Sequence, residues 1–301
     1  MPQQVFFVEP VELSARSGVL RVTPPDRGAF ALPPAQTGEL FALSGARADP
    51  EALALLDRQS IPLHCFRQGI LERSFLPSEG IVFGRIPLVQ IQTFLDPHRV
   101  LLLRREWFRG CIRLRCLAVR RRLPPARRTF WEGAYEDLLV PAYRGDPPAL
   151  EEMRRRLEEY DRLRRAAVED PGRSERLRHW CRAICLGVFS RLALDPWLGI
   201  LPRPQGGTPD LAEDLALLME PLFVDVPPPA RLRGERDWAR FFKRRGRTVV
   251  ASDGGRPWSL RTLPLREGYH LIAHCLERQR YRAALRLDLP PSMEDLEEEL
   301  A

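Results

Sequence analysis

Short apolar runs broken by turn residues characterise the first part of the chain. The segments "QVFFVEP", "GVLRVTPP", "AFALPP", "GELFAL", "IPLHCF" and "GIVFG" each have the length of a strand, and Pro, Gly or Asp separates them. Between them, "DPEALALLDRQS" places Leu53, Leu56 and their neighbours on one face of a helix. We therefore expect an N-terminal β domain over residues 1–85, with a helix packed on its sheet.

The spacing of the apolar positions changes after Gly84, and the remainder is expected to be mainly helical. In "FLDPHRVLLLRREWFRGCIRLRCLAV", Asp96 and Pro97 are placed as the N-cap and the first residue of a long helix. Further helical patterns are "PPALEEMRRRLEEYDRLRRAAVEDPG", "ERLRHWCRAICLGVFSRLAL" and "PLREGYHLIAHCLERQRYRAAL", whereas "PPPARLRGERDW" has the composition of a linker. These segments predict a helical domain over residues 86–290 and an acidic tail over 291–301. The predicted fold class is α+β, a small N-terminal β domain followed by a larger all-α C-terminal domain.

The composition is that of a globular protein with a core, since 44% of the residues are hydrophobic and 29% are charged. No apolar run reaches the roughly 18 residues that a membrane span requires, and "MPQQVFFVEP" lacks the features of a signal peptide. We therefore predict a cytoplasmic protein with no membrane partner. The 6 cysteines include no C-x-x-C pair and are expected to be buried free thiols.

The net charge of +7 comes almost wholly from arginine, because Lys243 is the only lysine. The guanidinium fork matches phosphate oxygens, which makes nucleic acid a candidate partner. A GC-rich genome, which encodes Arg in place of Lys, would produce the same composition. A helical scaffold unrelated to DNA is therefore an alternative function.

Arginine clusters are the candidates for DNA contact. The helix that starts near Asp96 alternates apolar residues with Arg104, Arg105, Arg109, Arg113 and Arg115, so its cationic side can follow a phosphate backbone while the other side packs. A second cluster, in "AVRRRLPPARR", precedes Glu132. The predicted DNA-binding residues are Arg104, Arg105, Arg109, Arg113, Arg127 and Arg128. The alternative is a solvated helix face.

The order of several segments carries a resemblance to a known family. They are "FFVEPVELSARSGVLRV", "IPLHCFRQGILERSFLPSEG", "DPHRVLLLRREWFRGCIRLRCLAV", "LALDPWLGIL" and "LLMEPLFVD". In this order they resemble the CRISPR-associated spacer-acquisition integrases, or adaptation endonucleases. The resemblance implies dimers that flank a small central partner. It also implies attack of a DNA 3′ hydroxyl on a phosphodiester, promoted by a divalent metal such as Mg²⁺ or Mn²⁺.

The resemblance also implies metal ligands, which in the family are an acidic residue, a His and a second acidic residue. The acidic ligands fall on Glu132 in "RTFWEGAYEDLL" and Glu220 in "LLMEP", which are therefore the predicted catalytic and metal-binding residues. The family's His would follow "LDPWLGIL", where this chain has Pro202, a residue that cannot coordinate a metal. The Asp that the family usually has three residues before Glu220 is Leu217 here.

Other side chains are candidates to replace the missing His. The acidic residues before Glu220 either supply a displaced ligand or cap their helix, and capping is the expected role; they are Asp210, Glu213 and Asp214. His270 and His274 have the spacing of a two-His metal site, but without an H-E-x-x-H pattern a core or interface pair is expected. His179 could approach Glu132 only through the tertiary fold.

Two functions follow from the resemblance. The first is an integrase-like protein that binds duplex DNA ends and takes part in metal-dependent spacer integration. The alternative is a catalytically inactive family member that serves as a DNA-binding structural subunit of the adaptation complex. In both cases the partners are duplex DNA and a homodimer or hetero-oligomer with other adaptation proteins. Convergence of Glu132, Glu220 and a replacement donor would favour the first function.

Overall fold

A computed structural model of the protein describes residues 3–78, 84–122, 125–144, 147–168, 171–201, 210–224, 234–247, 249–253 and 256–277. The strands are β1 (Gln3–Phe7), β2 (Val11–Arg16), β3 (Val19–Thr23), β4 (Phe30–Leu32), β5 (Thr37–Ala42), β6 (Ala46–Ala48), β7 (Leu63–Arg67), β8 (Ile70–Phe75), β9 (Val249–Asp253) and β10 (Arg256–Ser259). The helices are α1 (Pro50–Arg58), α2 (Arg85–Leu95), α3 (Pro97–Arg122), α4 (Pro125–Glu136), α5 (Leu139–Arg144), α6 (Pro147–Val168), α7 (Pro171–Arg191), α8 (Leu211–Val224), α9 (Glu235–Arg245) and α10 (Leu263–Cys275). The predicted α+β class is confirmed.

Two four-stranded sheets form the N-terminal part, with the strand orders β1-β5-β7-β8 and β4-β3-β2-β6. The central strand β5 is buried on both faces. Leu40 and Ala42 face a core within the N-terminal part, whereas Phe41 lies in the core that the helices form. This alternation is the period of two that side chains follow along a strand. The sheet therefore has helices on the face that carries Phe41.

Capping residues set the starts of two helices, of which the cap at Asp96 was predicted. At α1, the carboxylate of Asp49 accepts a hydrogen bond from the backbone N–H of Ala52 at 2.6 Å. At α3, Asp96 accepts from the N–H groups of His98 and Arg99 at 2.9 and 3.2 Å, and Pro97 is the first helical residue. Both arrangements satisfy N–H groups that have no partner within the helix. Helix α1 packs on β2, as expected.

The C-terminal part differs from the sequence prediction in two places. Strands β9 and β10 form an antiparallel hairpin inside the predicted helical domain. The predicted linker "PPPARLRGERDW" extends too far, because α9 already begins at Glu235. Trp238 and Phe241 are buried and pack with Phe242, whose ring stacks on Trp180 at 4.5 Å. Most of "GIVFG" and the acidic tail lie outside the described residues.

All six cysteines are free thiols, and only Cys116 is partly exposed, which confirms their predicted state. Among the described helices, none combines the length and the apolar character needed to cross a membrane.

Candidate metal centre

Helix α2 fixes the start of the motif "LDPWLGIL". The side-chain amide of Gln90 donates to the carbonyl of Asp195 at 3.0 Å and accepts from its N–H at 2.8 Å. The carboxylate of Asp195 in turn accepts from the N–H of Trp197 at 2.9 Å. Both backbone groups of Asp195 are therefore satisfied by one buried amide, which holds the turn after α7.

The end of the same motif is held by two charged side chains. Arg104 donates from Nε to the carbonyl of Ile200 at 2.7 Å. Asp214 accepts from the N–H groups of Ile200 and Leu201 at 2.6 and 3.1 Å. The backbone is thus fixed up to the residue before Pro202, and Pro202 lies outside the described residues.

The acidic residues at the start of α8 have structural partners. Asp210 caps the helix by accepting from the N–H of Glu213 at 2.9 Å, and its other oxygen accepts from Nε and Nη2 of Arg182 at 3.0 and 2.5 Å. Glu213 forms an ion pair with Arg178. The predicted capping role of Asp210 is therefore confirmed, and ion pairs join the start of α8 to α7.

Glu220 lies in the core of the helical part, with only 4% of its side chain exposed. One carboxylate oxygen is 4.0 Å from Nη2 of Arg115, which is itself 1% exposed. Arg115 was predicted to belong to a phosphate-facing stripe, and this prediction is wrong. Its guanidinium instead forms an ion pair with Asp161 of α6, with Nε and Nη2 at 2.8 and 2.6 Å from one carboxylate oxygen.

Glu132 lies in a different environment. It occupies α4, and 22% of its side chain is exposed. Its carboxylate accepts from Nε of Arg120 at 2.7 Å, and 57% of the Arg120 side chain is exposed. The hydrogen bond that Arg120 donates to Glu132, together with the charge of Glu132, raises the pKa of Arg120. The two predicted acidic ligands therefore lie beside different arginines of α3, Glu132 hydrogen-bonded to an exposed one and Glu220 at 4.0 Å from a buried one.

Comparisons with known proteins identify the fold. A scan against protein-family models and a search of curated protein sequences found no match. Among solved structures, a CAS1 protein from Thermotoga maritima matches with a TM-score of 0.70 and 17% identity, over 93% of this chain and 99% of that chain. A casposase bound to an integration product matches with a TM-score of 0.70 and 12% identity, over 100% of this chain and 98% of that one. The chain has the Cas1 fold. The resemblance inferred from the order of sequence segments is thereby confirmed.

The two predicted metal ligands of this Cas1 fold each lie beside a basic side chain. Among the described residues, no group of three or more His, Cys, Asp and Glu side chains is arranged to hold an ion. The carboxylates of Glu132 and Glu220 each face a guanidinium, and a positive charge at that distance opposes the approach of a cation. Mg²⁺ and Mn²⁺ require carboxylate oxygens that are open to the ion. Metal binding by Glu132 and Glu220 is therefore still a prediction.

Two of the candidate histidines of this Cas1 fold lie on α7 and α10. His179 is partly buried on α7, burial lowers its pKa, and its charged neighbours include Glu213 and Glu175. His274 is buried on α10, and Arg99 donates to its backbone carbonyl at 3.2 Å. The expected core role of His274 agrees with this burial.

The predicted DNA-binding arginines of α3 make internal contacts in this Cas1 fold. Arg104 binds the carbonyl of Ile200, Arg105 donates to the carbonyl of Arg144 at 3.1 Å, and Arg109 donates to Glu106 at 3.1 Å. Arg113 and Arg128 are half-buried, and the side chain of Arg127 is outside the described residues. DNA contact by these residues is still a prediction.

The partners of Arg115 lie far from it in the sequence and were not predicted. Its Nε and Nη2 bind Asp161, and the hydroxyl of Tyr135 donates to the other oxygen of that carboxylate at 2.6 Å. A signal was present in the sequence, because Pro221 within a helix must leave the carbonyl of Leu217 without its usual donor. Arg115 supplies that donor at 3.0 Å.

Proposed function

We propose that this chain is a DNA-binding structural subunit of a CRISPR adaptation complex and that it does not assemble the integrase metal centre. The observation that carries the proposal is the position of Glu220, which is buried and faces the guanidinium of Arg115. A carboxylate in this environment has a permanent counter-charge and is not accessible to a phosphodiester. Metal-dependent spacer integration is the competing function.

The fold supports the DNA part of the proposal. The chain shares the Cas1 fold with a casposase solved with its integration product, and a TtCas1–DNA complex matches with a TM-score of 0.51 and 16% identity. The net charge of +7 favours a polyanionic partner. A further structural match, a Cas6-RT-Cas1–Cas2 complex, has a TM-score of 0.69 and 12% identity, over 94% of this chain and 36% of that chain. We therefore propose homodimers or hetero-oligomers with other adaptation proteins.

Catalysis distinguishes the two functions. We expect wild-type protein to give no strand-transfer or nuclease product above background with Mg²⁺ or Mn²⁺, because neither Glu132 nor Glu220 is free of a neighbouring arginine. The assay uses wild type, Glu220→Ala and Pro202→His on a duplex with free 3′ ends. Robust wild-type activity that Glu220→Ala abolishes would overturn the proposal. Activity gained only in Pro202→His would show that a His restores a decayed site.

DNA binding is tested by its salt dependence. If Arg109 and Arg113 contact phosphates, their joint replacement by Ala should flatten the slope of log K against log salt by about two, because each contact releases about one counterion. Affinity for a short duplex is measured at several salt concentrations. Arg155→Ala with Arg156→Ala is the matched control, since these exposed arginines of α6 pair with Glu152 and carry the same charge. Equal slopes for the two double variants would place Arg109 and Arg113 on a solvated face.

A further inference from the structure

The guanidinium of Arg115 joins several helices at one buried point. From α3 it binds Asp161 on α6, and Tyr135 on α4 donates to the same carboxylate. It also binds the backbone carbonyl of Leu217 on α8 and, within its own helix, the carbonyl of Cys111 at 3.2 Å. The side chains of Arg115, Asp161 and Tyr135 are almost wholly inaccessible to solvent. The contacts of this charge are therefore made within the protein interior.

Helix α8 needs this guanidinium at a particular carbonyl. Pro221 lies inside α8 and has no backbone N–H, so it cannot donate to the carbonyl four residues before it. That carbonyl belongs to Leu217, which is buried, and an unsatisfied buried carbonyl is destabilising. Nη2 of Arg115 lies 3.0 Å from it. Arg115 thus supplies the hydrogen bond that the proline removes.

The charges around Arg115 are predominantly acidic. Asp161 binds the guanidinium directly, and Glu220 lies 4.0 Å from Nη2. Burial lowers the pKa of Arg178, but the charges of Glu213 and Glu220 outweigh this effect and raise it. Glu220 is therefore close to two guanidinium groups. Without Arg115, two buried carboxylates would lose much of their counter-charge, which is a large penalty at low dielectric.

We propose that Arg115 acts as a resident cation in the helical part, taking the place that a divalent metal would fill between Asp161 and Glu220. It contacts carboxylate and carbonyl oxygens contributed by different helices, which are the ligands that hard divalent cations prefer. The folded protein therefore requires no divalent metal for stability. This inference does not depend on DNA binding.

The test measures thermal unfolding with EDTA and with Mn²⁺. The midpoint of the wild type should be the same in both. Arg115→Met, which removes the charge but keeps most of the length, should unfold about 10 °C lower in EDTA. Mn²⁺ should then raise its midpoint by about 5 °C, because the vacated space lies between two carboxylates. Arg120→Met is the matched control, since its exposed pair with Glu132 should show neither effect.

A second variant keeps the test decisive if Arg115→Met does not fold. Arg115→Lys retains the charge, so it should fold, lose less stability than Arg115→Met, and show no response to Mn²⁺. If Arg115→Lys were no more stable than Arg115→Met, the proposal would be overturned. The proposal would also be overturned if Mn²⁺ raised the thermal unfolding midpoint of the wild type but not that of Glu220→Gln. If the wild type had the same unfolding midpoint in EDTA and in Mn²⁺ but did not bind DNA, the proposed function would be contradicted and the role of Arg115 would not.

Discussion

Replacing Asp161 with Ala is expected to lower the free energy of unfolding by about 3–5 kcal/mol, because breaking a buried ion pair leaves the remaining charge uncompensated. Among the described residues, the carboxylate of Glu220, 4.0 Å from Nη2, would remain as a counter-charge near the guanidinium of Arg115. The hydroxyl of Tyr135 would lose the acceptor that it now contacts at 2.6 Å. Denaturant titrations that follow tryptophan fluorescence measure the change.

The same helix provides a matched control for this substitution. Glu158 on α6 accepts a hydrogen bond from Arg154 at 2.8 Å across one helical turn, and its side chain is exposed to solvent. Glu158→Ala should therefore cost at most about 1 kcal/mol, since exposed ion pairs contribute little. If Asp161→Ala cost no more than Glu158→Ala, the buried network around Arg115 would not be a major source of stability.

The second large loss of stability is expected when Ala replaces Gly187, where α7 passes over the sheet. A Cβ atom at this position would lie 2.2 Å from a carboxylate oxygen of Glu39 and 3.3 Å from Nε2 of His64. Glu39 is fully buried and accepts from Gln4 at 2.8 Å, so its carboxylate cannot move without breaking that bond or its contact with His64. Burial raises the pKa of Glu39, but His64 and the Arg191 charge outweigh it, and the net pKa is below its ordinary value. The clash therefore affects an ionised group.

Opposing free-energy contributions determine whether Gly187→Ala stabilises or destabilises the protein. Alanine gains about 1 kcal/mol in helix propensity. Overpacking costs about 1–3 kcal/mol, and a lost hydrogen bond to a charged group costs roughly 1.5–3 kcal/mol more. We expect a net loss of about 2–4 kcal/mol in the free energy of unfolding. Gly133→Ala on α4, whose Cβ would meet no atom within 4 Å, should be neutral or stabilising. Equal behaviour of the two variants would contradict the packing of α7 on Glu39.

Local features of the sequence predicted the elements that depend on near neighbours. Asp49 and Asp96 cap helices because the N–H groups that they bind lie two or three residues away. The strand "GELFAL" is a short, nearly continuous apolar run, which is typical of a strand buried on both faces, and it lies between two cores. The hairpin of β9 and β10 was not predicted, because its strands are only 5 and 4 residues long and mix Val, Ala and Trp with Ser, Asp and Arg.

The surroundings of the candidate site could not be predicted locally. Arg115 has the same alternation as the neighbouring arginines of α3, but its partner Asp161 is 46 residues away and the carbonyl of Leu217 is 102 residues away. Only the tertiary fold distinguishes a buried arginine from an exposed one in such a pattern. The resemblance drew attention to Glu220, whose position in the protein interior became evident only from the packing of α3 against α8.

The hydrogen bond from Arg115 to Leu217 makes the effects of substitutions at two positions depend on each other. A proline inside a helix costs about 3 kcal/mol or more, partly through the carbonyl that it leaves unsatisfied. With Pro221 in place, the carbonyl of Leu217 relies on the donor of Arg115, which lies 3.0 Å away. Loss of Arg115 should therefore be more harmful in this chain than in a variant whose helix α8 has no proline, so substitutions at positions 115 and 221 should be non-additive.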